Sequence, residues 1–193
     1  MKILDFISIT KDTHEYIFEP SPPYEVIENK YISKAELDEI RLVEESLNKF
    51  YNSNNFPKTM NYLFNTLKLN PYNTFLNLTK FINLDKINKL QFDEVTSKFY
   101  EYFIENVPNK DYLLYLIKQD YLFKFNLKPK FFWKSEISRE ERKYIYNMFV
   151  ETYPQLSLDS LYRYAHLERY NNEYFIIIYK PKKELFYIEN KNA

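Results

Sequence analysis

Pro22 to Phe56, PPYEVIENKYISKAELDEIRLVEESLNKFYNSNNF, holds a proline entry, the clearest helix start in the chain and an asparagine-rich exit. Ser33 followed by Glu36 is a capping box, in which each side chain satisfies a backbone N–H that a first helical turn leaves unpaired. Leu37, Ile40, Val43, Leu47 and Phe50 then recur at helical spacing and predict one apolar stripe. Glu36, Asp38 and Glu39 crowd the first turns, where the helix dipole favours negative charge. The run Asn52-Ser53-Asn54-Asn55 ends the helix, since asparagine tolerates the left-handed backbone that a helix C-terminus often requires. Pro57 stands where a proline suits the first turn of a second helix.

Downstream, the same logic continues. Pro57 to Leu67 carries Met60, Leu63, Phe64 and Leu67 on one face. Asn70 caps a helix that opens on Pro71, with Phe75, Leu78 and Ile82 as its stripe. Leu84 to Leu90 reads as a connector. Asp93 to Asn106 is helical, with Phe92, Val95, Phe99 and Phe103 spaced by three and four. Pro108-Asn109 breaks it and Asp111 to Phe125 follows. Lys128 to Lys134 is a loop holding Pro129 and the single tryptophan. Ser138 and Glu141 form a second capping box, for a helix reaching about Thr152.

At Pro154 the period changes. Leu161 to Tyr170, Glu173 to Lys180 and Glu184 to Glu189 read as three β-segments. Asn171-Asn172 makes a tight hairpin turn and Pro181-Lys182-Lys183 a longer one. The expected fold is α+β overall: a bundle of five to six helices, then a small three-stranded antiparallel meander at about residues 160–190. Upstream, Met1 to Ile9 alternates like a strand through Ile3, Phe6 and Ile7. Pro20, Pro22 and Pro23 then predict an extended course and a boundary. Residues 1–24 therefore read as an arm or linker, and residues 25–193 as a single domain.

The chain resembles the C-terminal domain, itself of unknown function, of bacterial cobalamin-binding radical SAM proteins. Pro22-Pro23-Tyr24-Glu25-Val26, the helix Glu36 to Leu47, and Phe50-Tyr51-Asn52-Ser53 running on to Phe56 carry the likeness. Gln119-Asp120-Tyr121-Leu122 followed by Lys128-Pro129 extends it, and the whole resemblance covers roughly residues 16 to 190. Asn54 stands where that domain's turn usually has glycine. The resemblance implies that the arm is the tail of a radical SAM barrel. It also implies that an iron–sulfur cluster, S-adenosylmethionine and cobalamin belong to other parts of such a protein. Tyr24, Tyr51 and Asn52 join Asp120 as structural candidates, with no catalytic, cofactor-binding or metal residue expected in this chain.

Composition sets further bounds. Aromatic residues make up 20% of the 193, with 20 Tyr and 17 Phe, enough rings to fill a core and enough hydroxyls to need polar partners. There is no glycine, so turns fall to Asn, Asp, Pro or Lys and a glycine-rich phosphate loop is excluded. There is no cysteine, which excludes disulfides, thiolate zinc sites, a cysteine nucleophile and the cysteine triad of a radical SAM cluster. The 27 basic and 27 acidic residues balance, which argues against a nucleic-acid partner. No apolar run reaches the length of a membrane span and no signal-peptide core opens the chain, so a cytoplasmic protein without a membrane partner is expected.

Few residues invite chemistry. Asp120 falls three residues after Ile117 and four after Leu116, inside an apolar stripe. It reads either as a general acid or base, or as an anchor that takes hydrogen bonds from an Arg, a Tyr hydroxyl or a helix N-terminus. With no His, metal cluster or second carboxylate nearby, the anchor is favoured. His14 and His166 lie too far apart in sequence to suggest a metal site. Tyr162, Tyr164 and Tyr170, interleaved with Arg163 and Arg169, resemble a stacking strand, but neutral net charge favours sheet packing. Lys180, Lys182 and Lys183 read as a solvated turn. The expected function is an accessory domain whose partner is a radical SAM barrel, in the same chain or a separate one. The alternative is a free-standing helical module that binds another protein through an exposed aromatic patch.

Overall fold

The computed structural model describes residues 13–82, 91–130 and 133–189. The expected strand near Met1 to Ile9 and the connector Leu84 to Leu90 lie outside these residues. Among the described residues, seven α-helices and a C-terminal three-stranded antiparallel sheet give an α+β fold. The helices are α1 Lys34–Ser46, α2 Pro57–Asn61, α3 Pro71–Ile82, α4 Phe92–Ile104, α5 Lys110–Lys124, α6 Arg139–Thr152 and α7 Leu158–Tyr164. A two-stranded ladder, β1 Ile17–Phe18 with β2 Val26–Glu28, precedes them. The sheet is β3 Ala165–Tyr170, β4 Glu173–Ile178 and β5 Glu184–Glu189, in that order.

Both sequence-read capping boxes form, at Ser33/Glu36 and at Ser138/Glu141. Another, Gln91/Glu94, starts α4. It escapes a sequence reading because Gln is an uncommon N-cap. Past Ser46 the first helix widens into a π-helical stretch, Leu47–Asn52, and α2 widens likewise at Tyr62–Thr66. Asn54 then takes a left-handed backbone, φ 51°, and its N–H donates to the Tyr51 carbonyl.

The stripe predicted for α1 needs one correction. Ile40 is 43% exposed, whereas Ser46 is buried. Ser46 is covered because its hydroxyl hydrogen-bonds Thr79 on α3, a polar contact that apolar spacing cannot show. The chain at Pro20–Pro23 also differs from the expected extended course. Ser21 to Tyr24 makes a turn, closed by the Tyr24 N–H on the Ser21 carbonyl, and it brings β1 back onto β2.

The third correction is at α7. Leu161 to Tyr164 was expected as the start of a strand, but it is the second half of a helix. Ser157 accepts the Ser160 N–H, and Asp159 sits in the first turn. The strand begins only at Ala165, so Tyr162 and Tyr164 do not share it with Tyr170, and the meander starts later than residue 160.

The sheet divides two cores. Along β4, Phe175 and Ile177 with the following Tyr179 face a helical core built from the end of the first helix, with its π-helical stretch, and from α2 to α5. Tyr174, Ile176 and Ile178 face the opposite way, onto Ile145, Tyr146 and Phe149 of α6 and Leu161 of α7. The helical core centres on stacked rings: Phe99 lies 5.0 Å from both Phe50 and Phe56, and 4.8 Å from Phe103. Each such pair adds about 0.5–1.5 kcal/mol beyond the burial of its area.

Candidate functional site

Helix α5 packs against α2, α4 and β3, and Leu113 and Tyr115 to Leu122 are all buried. A helix covered on several sides must find partners for every polar side chain it carries. Three consecutive ones, Lys118, Gln119 and Asp120, project about 100° apart and reach three different elements.

Asp120 reaches α2. Its carboxylate accepts the Thr59 N–H and hydroxyl, each at 2.8 Å, and the Lys58 N–H at 3.2 Å. Phe56, at the N-cap of α2, supplies no side-chain cap and Pro57 has no N–H. The carboxylate from a distant helix therefore takes the two donors that α2 would otherwise leave unpaired. Burial pushes the Asp120 carboxyl up to about 6, against the pull of the Thr59 and Lys58 hydrogen bonds and the Lys58 charge.

Lys118 reaches β3. The register of β3 puts Glu168 on the face toward α5, and Lys118 Nζ donates to its Oε2 at 2.9 Å. Oε1 accepts from Trp133 Nε1 at 2.8 Å and lies 2.7 Å from His166 Nε2. Burial raises the Glu168 carboxyl, but the His166 hydrogen bond, the Lys118 charge and the Trp133 N–H outweigh it and hold it below the ordinary range. His166 is also held below its ordinary value: burial dominates, with Lys128 and Arg142 adding to it against the pull of Glu168. A carboxylate held by three donors is a structural centre and has no free oxygen to act as a base.

Gln119 faces a groove of about 900 Å³ between α2, α5, α6 and the β4–β5 hairpin. Its amide oxygen accepts the Tyr187 hydroxyl at 2.9 Å, and that hydroxyl takes Lys58 Nζ at 2.6 Å. Tyr62, Tyr112 and Tyr115 line the wall opposite. Tyr62 meets Tyr112 edge-on at 5.0 Å, and Tyr170 stacks on Tyr115 at 4.9 Å just beyond. Burial raises the Tyr62 phenol, and the neighbouring Tyr112 and Tyr170 hydroxyls add to it. Burial raises Tyr115 strongly, and Glu173 is among the groups that push it further. Tyr62 and Tyr115 therefore stay protonated and act as hydroxyl donors or acceptors.

The four sequence candidates do not meet. Tyr24 closes the β1–β2 turn at φ 57°, with its side chain exposed. Tyr51 sits at the end of the π-helical stretch, tilted against Phe64 at 6.3 Å. The Asn52 side-chain amide donates to Asn48 Oδ1, one turn back, at 2.7 Å. Of the other residues singled out, His14 bonds Tyr31 at 3.2 Å in the N-terminal hairpin. Lys180 and Lys182 are exposed, as expected of a solvated turn, while Lys183 is half-buried. It donates to the Phe123 and Phe125 carbonyls at 2.8 and 3.1 Å, finishing α5, where Tyr179 also donates to the Leu122 carbonyl. The groove itself was missed because its tyrosines, Tyr62, Tyr112 with Tyr115, and Tyr187, come from three separate segments. The only available signal was the unusual number of tyrosines.

No three His, Asp or Glu side chains among the described residues are grouped to hold a metal ion. None of the described helices is long and apolar enough to cross a membrane. The arrangement defines an α+β domain whose buried Lys118, Asp120, His166 and Glu168 are all bonded within it, with a tyrosine-lined polar groove beside them. A family model described as protein of unknown function (DUF4080) matches residues 12–184, and the chain belongs to that family. No curated protein and no solved structure matches it.

Proposed function

We propose that this chain is a non-catalytic accessory domain of cobalamin-binding radical SAM proteins, one that covers or supports the catalytic barrel. The reading starts from the ordered words of the resemblance, which lie within the matched residues 12–184. One observation carries it further. Every residue of Gln119-Asp120-Tyr121-Leu122 is engaged inside the domain: Gln119 with Tyr187, Asp120 with Thr59, the Tyr121 hydroxyl with the Lys130 carbonyl, and the Leu122 carbonyl with Tyr179. The words that mark the family are thus used to hold elements together, as suits a supporting domain.

The residues present do not fit an iron–sulfur cluster, because the chain has no thiolate to ligate iron. Under this reading the cluster, S-adenosylmethionine and cobalamin sit in other parts of the parent protein. It goes with a cytoplasmic location and, given balanced charge, with a protein rather than a nucleic-acid partner.

The test is anaerobic reconstitution and co-purification with a radical SAM, cobalamin-binding protein from the same source. A stable complex on size exclusion, with all cluster absorbance on the partner, is the expected result. A stoichiometric cluster on this chain alone overturns the reading. So does a complex with an unrelated protein made through the meander.

A further inference from the structure

The segment joining α5 to α6 is basic in a chain whose charges balance. From Lys124 to Lys143 there are seven lysines and arginines against three glutamates. One of the three, Glu141, is taken by Arg169 and the Tyr174 hydroxyl. None of the seven cations makes an ion pair with any described residue. Arg142, on α6, is half-buried. Its Nε is buried without a hydrogen-bond partner, and its Nη2 donates to the Ser135 hydroxyl at 3.5 Å, the limit of such a bond.

A covered guanidinium is costly unless acceptors meet its N–H groups, and here the surroundings supply further cations instead. Lys128, in the loop after α5, is exposed, yet local desolvation holds its ammonium below the ordinary value and the Arg142 charge lowers it further. Both cations bear on His166, which is 3% exposed on β3. Trp133 Nε1 pins the loop to β3 through Glu168 at 2.8 Å, and the Tyr121 hydroxyl pins it to α5 through the Lys130 carbonyl at 2.8 Å. Glu168 is filled by Lys118, Trp133 and His166, and it bonds neither Arg142 nor Lys128. Gathered positive charge with an unmet buried donor in its midst favours an anion.

We propose that Arg142, together with Lys128, binds a small oxyanion, a carboxylate or a phosphate, where the loop after α5 meets α6. The guanidinium presents its Nε and Nη donors as a fork that matches either group, and the ammonium adds a point charge. Ser135, already within reach of Arg142, offers a hydroxyl to the same oxygens. His166 borders the site and senses its charge. The inference does not depend on the parentage proposed above.

The experiment is an NMR titration of the full chain with inorganic phosphate and, separately, with succinate, ionic strength being held constant with chloride. The chain has two histidines, and His14 sits apart in the N-terminal hairpin as an internal control. A saturable shift of the His166 imidazole is expected, with His14 unmoved. The anion should also raise the His166 pKa, because it offsets the Lys128 and Arg142 charges that hold it down against Glu168. Saturation by phosphate alone assigns a phosphate group, and by succinate alone a carboxylate. Lys128 is exposed, so Lys128→Gln keeps the fold, and it should weaken binding about tenfold, the order of one charge-assisted bond. Arg142→Lys, which keeps the charge and loses the fork, should weaken it by a similar factor, while Lys182→Gln in the turn before β5 leaves it unchanged. The proposal is overturned if neither anion saturates, if both histidines shift alike, or if Lys128→Gln binds as tightly as the parent.

Discussion

The Asp120 carboxylate on α5 accepts both the backbone N–H and the hydroxyl of Thr59, 61 positions earlier, each at 2.8 Å. A helix N-terminus is thereby capped across the tertiary structure rather than by its own flanking residue. Asp120→Ala leaves the Thr59 and Lys58 donors without a partner in a dry setting. The expected loss is about 2–4 kcal/mol in urea or guanidinium denaturation. Asp120→Asn, which keeps one acceptor oxygen, should lose less.

The same carboxylate imposes a pH dependence. Its folded value is raised from 3.8 to about 6, so between these two the folded chain holds a proton that the unfolded chain has released. The contribution is fully present below pH ~4 and is lost as pH rises through about 6. Denaturation at a series of pH values should show the wild type losing stability relative to Asp120→Asn across that window.

Glu168 and His166 act in the opposite sense. Both are held below their ordinary values, 4.5 and 6.5, so protonating them costs the folded state. Their contribution is present at neutral pH, and it is lost below 6.5 for His166 and below 4.5 for Glu168 as each approaches its folded value. Lys118→Met alone should destabilise by about 3 kcal/mol or more, because it strips a cation from a buried carboxylate. Lys118→Met/Glu168→Leu should recover much of that loss, and a double-mutant cycle measures the coupling.

Asn54 offers a backbone test. At φ 51° a residue with an ordinary side chain is strained, so Asn54→Ala should cost about 1 kcal/mol. Asn54→Gly, restoring the residue most at ease there, should stay within about 0.5 kcal/mol of wild type in the same denaturation series.

Deleting Met1 to Glu19 removes β1 and leaves β2 unpaired. Among the described residues, none from 13 to 32 belongs to either buried core. The truncated chain should therefore still melt in one cooperative step by circular dichroism. A molten or aggregated product would instead make the arm part of the core.

Much of the helical framework was legible in sequence because caps and stripes are local signals. Ser33 with Glu36, Asn70 before Pro71 and Ser138 with Glu141 each mark a start that the structure keeps. Local signals fail where tertiary partners decide. Ile40 is left exposed while Ser46 is buried against Thr79, and a short helix replaces strand at Leu161, started by Ser157, whose side chain accepts the Ser160 N–H. The Glu168 centre needed the pairing of β3 before His166 and Glu168 could be seen to face Lys118. The groove needed tyrosines from several elements to be brought together, which no spacing along the chain encodes.

Strand β4, packed on both faces, has one further consequence. Its amides are shielded by neighbouring strands on either edge and by a core above and below. No partial opening of one side exposes them, so their exchange with deuterated solvent has to wait for the whole molecule to unfold. The slowest protons from both halves should then report a single free energy. Phe99 on one side and Phe149 on the other, though they belong to separate clusters, would lose their protection together.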